Sequence, residues 1–266
     1  MKRVKIFDFS EDENYPEYYK VCRNTGAYYF LPAKSRVYED SYFMEEYKSQ
    51  YKKTYYEDES FLRKIAKERI LLVHKYLKSE SPSVFEIGCA AGFFLDEARQ
   101  SGFTTKGIEI SENEVRYAKS LGLNVVSGSF ENYQPKEKYD LVSSYFVLEH
   151  FENQEEILWK IESMVKENGL FMLACPSFDG PTFRTNPKNW FLTHPKDHFV
   201  DYDPLSLSRV FDKMGMKIVF QKPFSYHKHR DLGWKGKFLS NFVYKTLADW
   251  TCYGDTIQII AKKVKI

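Results

Sequence analysis

The chain of 266 residues lacks several features that would assign it to a common class of proteins. Its four cysteines form no CxxC pair, which indicates reduced thiols in a cytoplasmic protein. It has no run of about 18 apolar residues, so we expect neither a signal peptide nor a membrane span. Lys and Arg (39) nearly balance Asp and Glu (37), so the basic field of a nucleic-acid-binding protein is missing. These absences favour a globular protein that acts on a small or locally docked substrate.

The most informative segment of the sequence is 84–95, VFEIGCAAGFFL. A short apolar run carries Glu86, turns on small residues and opens a helix. The unpaired N–H groups and the dipole of such a helix N-terminus attract a negative or hydrogen-bonding group. A dinucleotide fingerprint that started at Gly88 would need glycines where Ala90 and Phe93 stand. The segment therefore predicts a cofactor site of another kind.

The pattern acidic-x-G-x-A-x-G, from Glu86 to Gly92, resembles motif I of the class I S-adenosylmethionine-dependent methyltransferases. Other segments that resemble this family follow in the expected order, at 106–111, 125–131, 139–150 and 169–176. The resemblance implies a Rossmann-like, doubly wound α/β fold. Its seven-stranded sheet would be mostly parallel, with an antiparallel last strand.

The resemblance also implies S-adenosylmethionine as the cofactor and S-adenosylhomocysteine as the product. Glu109 would accept hydrogen bonds from the ribose hydroxyls, and Ile110 and Phe130 would pack against the adenine. The implied cofactor-binding residues are Glu86, Gly88, Cys89, Ala90, Gly92, Glu109, Ile110, Ser129, Phe130, Ser144 and Tyr145. The alternative is that each glycine is only a turn residue and that the two glutamates are exposed strand ends.

Residues 1–57 are interpreted as an aromatic-rich cap ahead of a methyltransferase domain at 58–266. The cap shows no clear strand or helix period and holds eleven of the twenty tyrosines. Either these tyrosines pack the segment onto the catalytic domain, or Tyr42, Tyr47 or Tyr51 helps to roof the active site.

Hydrophobic and capping patterns predict several further elements. The first is an amphipathic helix at about 58–79, in which Phe61, Ile65, Leu72 and Tyr76 recur at helical spacing with Leu62, Ala66 and Val73 beside them. The others are a capping box of Ser111 and Glu114, a helix closed by Asn168 and Gly169, a helix from Asp203 to Gly215, and strands at 217–221 and 256–261.

The first insertion, 177–203, is a long connection in which we place the acceptor pocket, because long loops in compact domains are usually functional. If Pro195 starts a helical turn, His194, Asp197 and His198 share a face and could ligate a metal. His198 could instead act as a base or a substrate hydrogen bonder, or simply pack the loop. We expect no bound metal.

The second insertion, 223–253, is basic in its first half, from His227 to Lys237, and apolar in its second. The apolar half puts Phe238, Leu239, Phe242, Val243, Thr246, Leu247 and Trp250 on one helical face. Such a face indicates core packing or a homodimer contact. Two alternatives are a lid whose basic entrance attracts a phosphorylated substrate and a helix that lies on a membrane surface.

His150, directly after the fourth strand of the resembling fold, is the first candidate for a general base, with packing as its alternative role. Related quinone O-methyltransferases bind a metal through E-x-x-E-H, but Phe146 replaces the first Glu here. The candidate catalytic residues are His150 and His198, and the candidate acceptor-binding residues are Phe146, Trp190, His194 and His227.

These residues predict transfer of a methyl group to a small polar acceptor, through a hydroxyl. RNA or protein as the acceptor is a second hypothesis, against which stand the balanced charge and the absence of an N-P-P-Y motif. A non-catalytic ligand-binding protein that retains the fold is a third, and it does not explain why Gly88, Gly92 and Glu109 are all present.

Segment 21–32 resembles the second knuckle of a degenerate zinc-ribbon leader, with Thr25 at a cysteine position and no upstream CxxC. We therefore expect purified protein to contain no stoichiometric zinc. Metal analysis of the purified chain checks this, and one zinc per chain would contradict it.

Overall fold

The structure is a computed structural model that describes residues 3–36, 47–48 and 52–264. Its strands are β1 (Phe9–Glu11), β2 (Tyr19–Cys22), β3 (Tyr28–Phe30), β4 (Ser83–Ile87), β5 (Thr104–Glu109), β6 (Val125–Ser127), β7 (Tyr139–Tyr145), β8 (Val165–Pro176), β9 (Val200–Asp201), β10 (Met216–Pro223) and β11 (Thr256–Lys263). Its α-helices are α1 (Glu59–His74), α2 (Phe93–Gln100), α3 (Glu112–Ser120), α4 (Gln154–Met164), α5 (Pro181–Thr185), α6 (Pro187–Thr193), α7 (Pro204–Lys213), α8 (Lys228–Leu232) and α9 (Asn241–Thr251). Two short 3-10 helices are Leu148–His150 and Gly233–Lys237.

The larger sheet has seven strands in the order β10-β11-β8-β7-β4-β5-β6. β4 pairs in parallel with β5 and β7, and β5 pairs in parallel with β6. β10 and β11 are antiparallel. A second sheet has the order β1-β2-β3-β9. The larger sheet confirms the predicted Rossmann-like α/β fold with its antiparallel last strand.

The chain divides into two compact units. The first unit contains the described residues of Met1–Ser35, Tyr145–Glu162 and Met172–Ile266. The second unit contains those of Arg36–Ser144 and Ser163–Phe171. None of the helices within the described ranges is both long and apolar enough to cross a membrane.

The core of the second unit forms around the parallel strands. Phe85, Ile87 and Leu95 are buried there. Gly107 of β5 permits the close approach of α2, because a Cβ atom at this position would lie 2.7 Å from Leu95 Cδ1 and 2.8 Å from Cys89 Sγ. Because Gly107 has no Cβ atom, α2 can pack closely on the sheet.

Helix α1 confirms the predicted amphipathic helix. Of the predicted face, Ala66 and Val73 are buried, whereas Phe61 is 56% exposed. Arg69 and Ile70 are also buried, although a charged residue such as Arg69 is not expected in a core. The sequence therefore identified the helix and part of its buried face but not the burial of Arg69.

The N-terminal segment, in which the sequence shows no clear period, contains a small sheet among its described residues. Tyr19 pairs with Phe30 across β2 and β3, and β9 from the first insertion adds a strand beside β3. Tyr19, Phe30 and Phe178 form its buried core. Strands of three or four residues are too short to show a period of two, which explains why the sequence did not reveal them.

The zinc-ribbon-like segment forms the hairpin between β2 and β3. The Cys22 N–H donates to the Ala27 carbonyl at 2.8 Å, and the Cys22 thiol accepts from the Asp8 N–H at 3.3 Å. Thr25 is fully buried in the turn.

Three other local predictions had mixed outcomes. Asp203 caps α7 in a capping box with Ser206, as an Asp-Pro start predicts. The Ser111 hydroxyl caps α3 by accepting the Glu114 N–H at 3.4 Å. The prediction that Asn168 closes a helix was wrong, because α4 ends at Met164 and Asn168 lies within β8 with a left-handed φ of 62°.

The first insertion was predicted as a long connection, but it forms α5, α6 and β9. Pro181 and Pro187 each start a helix, as proline at the first helical position favours. Helices of five and seven residues are too short to give an amphipathic period in the sequence.

The contact between α1 and α2 depends on Arg63. Its guanidinium lies 2.8 Å from Asp96 Oδ2 and 3.0 Å from Glu97 Oε1, and it also pairs with Glu59 at 2.7 Å. Its carbon atom Cζ is 5.0 Å from the centre of the Phe93 ring. Burial raises the pKa of Asp96, but hydrogen bonds from Arg63 and Arg99 outweigh it and hold that pKa below 3.8.

We predict that Arg63→Met lowers the free energy of unfolding by about 2 kcal/mol, because buried carboxylates lose a charged donor. Because the Asp96 pKa is depressed in the folded state, this contribution is present above pH 3.8 and is lost as the pH falls through the lower folded value. Urea unfolding at neutral and acidic pH measures both effects. Arg116→Met is the control, since the Arg116 and Glu112 side chains are 65% and 77% exposed. Equal losses in the two variants would contradict the prediction.

Candidate functional site

The Glu109 carboxylate organises the loops that follow β4 and β5. Glu109 Oε2 accepts the Ala90 N–H at 2.9 Å, and Oε1 accepts the Ile110 and Ser111 N–H groups at 2.8 and 2.9 Å. The Glu109 carbonyl accepts the Gly128 N–H at 2.9 Å, which attaches the loop after β6. Burial raises the pKa of Glu109, while the three backbone N–H groups oppose that rise. A carboxylate has about four acceptor positions, so one is left for a ligand hydroxyl.

Glu86, in β4, is a buried carboxyl group with one oxygen in need of a partner. Its Oε2 has no hydrogen-bond partner among the residues that the structure describes. Burial raises its pKa well above 4.5, the charge of buried Arg69 lowers it, and Glu109 raises it further. The attraction between Glu86 and the buried Arg69 cation on α1 therefore only partly offsets the effect of burial. An oxygen of this kind can accept a hydrogen bond from a bound polar or cationic group.

The turn between β4 and α2 uses left-handed backbone at three positions, Gly88, Ala90 and Gly92. Gly92 has φ of 81°, and a Cβ atom there would lie 2.5 Å from Leu123 Cδ1. Ala90 has φ of 44°, although it is not glycine. This conformation costs an alanine about 1 kcal/mol. The alanine therefore keeps the backbone conformation that glycine would adopt at the same place in the motif.

The residues expected to hold the adenine differ in accessibility. Ile110 is 46% exposed directly after β5, so its side chain is available to a ligand. Phe130 is buried, and its ring stacks on Tyr133 with a centroid distance of 6.2 Å. The Ser129 hydroxyl accepts the Glu131 N–H at 3.2 Å. Only Ile110 of this group presents an open apolar surface.

The end of β7 contains two further buried hydroxyls. Ser143 Oγ and Ser144 Oγ lack hydrogen-bond partners within the described part of the chain. Tyr145 follows them, and its side chain is half-buried. Together with Glu86, the serines offer buried polar atoms of the kind that a polar cofactor satisfies.

One N-terminal tyrosine that the sequence analysis did not single out belongs to this unit's candidate site. The Tyr55 ring stacks on Phe93 at 5.4 Å, and burial and the nearby Glu86 charge raise the pKa of its hydroxyl well above 10.0. Tyr47 packs edge-on against Tyr55 at 5.3 Å. Tyr42 and Tyr51, the other proposed roof residues, lie outside the described residues.

In the first unit, His150 is paired with Asp197. His150 Nδ1 lies 3.1 Å from the Asp197 carbonyl oxygen and 3.3 Å from its Oδ2. A carbonyl can only accept, so Nδ1 carries the proton and Nε2 is the basic atom of the neutral ring. The His198 ring lies against the His150 ring at 4.6 Å and an interplanar angle of 83°. The two predicted catalytic histidines are therefore neighbours.

The surroundings give these two rings different proton affinities. Burial lowers the pKa of His150, but the hydrogen bond to Asp197 and the charge of Glu149 outweigh this and raise it above 6.5. Burial and the adjacent His150 charge lower the pKa of His198 to about 3. Burial raises the pKa of Glu149 to about 7. Near neutral pH, His198 is therefore uncharged, whereas His150 holds a proton more readily than a free imidazole does.

His194 belongs to a separate buried hydrogen-bond network. Its Nδ1–H donates to the Pro195 carbonyl at 2.8 Å, and its Nε2 lies 2.9 Å from Asp201 Oδ2. The Tyr19 hydroxyl donates to the same carboxylate at 2.6 Å, and Trp190 Nε1–H donates to that hydroxyl at 2.9 Å. Both ring nitrogens of His194 and the indole N–H of Trp190 are thus occupied by protein groups.

The remaining candidate acceptor residues have other neighbours. Phe146 has a left-handed φ of 58°, and its ring contacts Phe224 at 6.2 Å. His227 Nε2 lies 3.5 Å from Asp255 Oδ2, a carboxylate that also accepts from Arg230 at 2.6 Å. His227 lines an open cavity of about 470 Å³ in the second insertion, together with Tyr226, Lys228, His229, Arg230, Asn241, Tyr244 and Lys245. His227 thus pairs with Asp255, whereas the partners of His150 and His194 are Asp197 and Asp201.

The side chains suited to a metal are not the set that the sequence suggested. Pro195 starts a turn and not a helix, so His194 pairs with Asp201 while Asp197 pairs with His150. Two sets have ligand atoms within 4.8 Å of one another, namely Glu149, His150 and His198, and His194, His198 and Asp201. Hydrogen bonds already account for His194 and Asp201 in the second set.

Three residues of these sites escaped sequence reasoning for different reasons. Arg69 could have been noticed as a charge on the helix face that also carries Ala66 and Val73. Asp197 was considered only as a metal ligand, although its pairing with His150 depends on a contact 47 residues along the chain. No sequence pattern indicated a role for Asp201, since its partners Tyr19 and His194 lie in separate segments of the chain.

Comparisons with known proteins agree with this geometry. A family model described as "Methyltransferase domain" matches residues 58–221. Ubiquinone biosynthesis O-methyltransferase of Rickettsia felis is 25% identical over 97 residues, which are 34% of this chain and 40% of that protein. The same-named protein of Bradyrhizobium diazoefficiens is 27% identical over 97 residues, 34% of this chain and 38% of that one. The chain thus spans about two fifths of the length of these relatives.

Solved structures share the fold. Magnesium protoporphyrin IX methyltransferase from Synechocystis, with bound S-adenosylhomocysteine, has a TM-score of 0.59 at 12% identity and covers 84% of this chain and 97% of its own. A methyltransferase from Archaeoglobus fulgidus has a TM-score of 0.51 at 20% identity and covers 79% of this chain and 100% of its own.

The family match extends over more than half of the chain and includes Glu86, Glu109 and the turn between β4 and α2. The protein therefore belongs to the methyltransferase domain family.

Proposed function

We propose that this enzyme transfers the methyl group of S-adenosylmethionine to a hydroxyl of a small polar acceptor. The observation that carries the proposal is the His150 imidazole, whose Nδ1–H donates to Asp197 and whose Nε2 is the basic atom. Such an arrangement can take the proton of a hydroxyl group as that oxygen becomes methylated. The names of the relatives, which are O-methyltransferases, support oxygen as the acceptor atom.

The bound cofactor supplies the activated methyl group, and the protein supplies position and a proton acceptor. Glu109 would hold the ribose hydroxyls through its remaining acceptor position. The orphan oxygen of Glu86 and the hydroxyls of Ser143 and Ser144 suit the polar groups of the amino acid end. Ile110 would cover the adenine. The other proposed cofactor contacts, at Gly88, Cys89, Gly92, Ser129, Phe130 and Tyr145, remain predictions.

In the acceptor site, His150 would act as the base, and neutral His198 would pack beside it and hydrogen-bond the acceptor. The half-exposed Phe146 would contact the acceptor. Trp190 and His194 suit a supporting role better, because the network with Tyr19 and Asp201 engages their polar atoms. His227 would contribute only if the acceptor extends towards the basic cavity.

The domain division and the compartment are also proposals. A boundary near residue 58 agrees with the start of the family match, with insertions at 177–203 and 223–253. The cysteines Cys22, Cys89, Cys175 and Cys252 are free and buried, which suits a reducing cytoplasm. A homodimer and the absence of nucleic-acid partners stay predictions.

We predict that Glu109→Gln and Glu109→Ala weaken binding of S-adenosylhomocysteine by about 1.5 to 3 kcal/mol, the range for hydrogen bonds to a charged group. Isothermal calorimetry measures the affinity, and thermal unfolding shows whether the variants remain folded despite the loss of an acceptor for three N–H groups. Glu112→Ala is the matched control, because the exposed Glu112 side chain begins the next helix. A folded Glu109→Gln variant with unchanged affinity would place the ribose elsewhere.

We predict that His150→Ala lowers turnover about a hundredfold or more and leaves cofactor affinity nearly unchanged. Because only neutral His150 can accept a proton, turnover should rise with pH through a midpoint above 6.5. Asp197→Asn should move the midpoint to lower pH, since it removes a hydrogen bond and a charge that favour the imidazolium. The measurement is formation of S-adenosylhomocysteine across pH, with an acceptor found by screening small hydroxylated compounds for mass gain.

His74→Ala is the control for this prediction, because His74 lies on the exposed end of α1. Histidine resonances followed by NMR report the same shift in the pKa of His150 without any acceptor. If turnover survives in His150→Ala with an unchanged pH profile, the reaction proceeds by proximity alone. Mass gain on RNA or protein but on no small compound would overturn the proposed acceptor class.

A further inference from the structure

The second insertion leaves most of its large apolar side chains exposed. On α9, Tyr244 and Ala248 face inward, whereas Phe242 is 79% and Trp250 is 83% exposed. Phe238, just before the helix, is 83% exposed. The sequence analysis interpreted this face as core packing or a homodimer contact, and the exposure of these side chains contradicts core packing for the described part of the chain. We call the set Trp234, Phe238, Phe242, Val243, Leu247 and Trp250 the aromatic patch.

Specific contacts hold the helix in this orientation. The Ser240 hydroxyl caps α9 by accepting the Val243 N–H at 3.1 Å. The Tyr226 hydroxyl donates to Asp249, and the Lys245 ammonium lies 5.1 Å from the centre of the Tyr226 ring. The contacts of Lys245 and Asp249 with Tyr226 hold a different side of α9 against the protein. The aromatic patch is therefore exposed when α9 is in its packed position.

The most exposed charges around the patch are positive. Between residues 228 and 251, the exposed charged side chains are Arg230, Lys235, Lys237 and Lys245, while Asp231 and Asp249 are only partly exposed. Asp231 accepts from the Tyr253 hydroxyl, and Asp249 pairs with Lys222. The partner that suits this surface is therefore apolar at its centre and negatively charged at its rim.

We propose that the aromatic patch docks the enzyme onto the surface of an anionic lipid bilayer. Trp and Phe side chains enter the boundary between headgroups and acyl chains, and neighbouring Lys side chains reach the anionic headgroups. A second copy of the chain suits the patch less well. In a two-fold contact, the same patch with its exposed Lys235, Lys237 and Lys245 would meet itself, and residues 228–251 offer no carboxylate that is classed as exposed. Contact at the surface requires no spanning helix.

Co-sedimentation with extruded vesicles tests this proposal. The full chain should pellet with equimolar phosphatidylcholine and phosphatidylglycerol and much less with phosphatidylcholine alone. Trp250→Ser and Phe242→Ser should each weaken partitioning about tenfold, because each removes one aromatic side chain from the acyl boundary. Lys235→Glu combined with Lys237→Glu should weaken binding to the anionic vesicles at least tenfold and have little effect on phosphatidylcholine.

Matched controls separate docking from general effects. Phe61→Ser removes a half-exposed aromatic residue from α1, and Lys64→Glu reverses an exposed charge there, so both should bind vesicles like the wild type. Trp250→Phe should retain vesicle binding. All variants should keep their heat of binding to S-adenosylhomocysteine, which shows that the fold is intact.

Three results would overturn the proposal. The first is a wild-type chain that remains in the supernatant with both vesicle types. The second is equal binding by the wild type and by Trp250→Ser or Phe242→Ser. The third is a dimer in light scattering that Phe242→Ser dissociates, with no vesicle binding, since the patch would then be covered by a second copy.

Discussion

The buried carboxylate of Glu109 is the interaction on which the cofactor half of the enzyme depends. An ionised carboxylate in a protein interior costs several kcal/mol unless its lone pairs are satisfied. Here three backbone N–H groups, from Ala90, Ile110 and Ser111, meet that need. The same residue holds the loop after β6 through its carbonyl. Three loops are thus aligned before any ligand binds, and the side chain that aligns them is the one expected to bind the ribose.

Backbone strain accompanies this arrangement. Of the five described non-glycine residues with positive φ, Ala90 and Phe146 lie in candidate binding segments. The Ala90 N–H is held by Glu109, and the Phe146 N–H donates to the Ala174 carbonyl at 2.7 Å. Such conformations persist when surrounding contacts over-determine them. The cofactor turn therefore tolerates alanine where glycine is easier, because the hydrogen bond to Glu109 fixes the direction of that amide.

The sequence predicted the parts of the molecule in which local chemistry determines structure. The turn after β4, the carboxylate at the end of β5 and the Asp203 cap each follow from a few adjacent residues, and the structure has all three elements. The N-terminal sheet was missed because its order depends on β9, about 170 residues away from β3. The burial of Arg69 on α1 was not predicted, because it depends on attraction to Glu86, which lies in β4. The aromatic patch is exposed, although an apolar stripe on a helix ordinarily faces the core. No local sequence pattern reveals this exception.

The histidines of the first insertion illustrate why acceptor chemistry is harder to predict than cofactor binding. His194 and His198 stand four residues apart, yet the first is held by Asp201 and the second by no carboxylate within hydrogen-bond distance in the described structure. His150, from another segment, takes Asp197 as its partner. An imidazole with both nitrogens bonded to protein groups, like that of His194, has a structural role. A buried imidazole without a hydrogen-bonded carboxylate, like that of His198, stays neutral. A ring whose Nδ1 carries the proton has Nε2 as its basic atom. We therefore infer that His150 moves the proton, that His198 stays neutral beside it, and that His194 holds the loop on which His198 is presented.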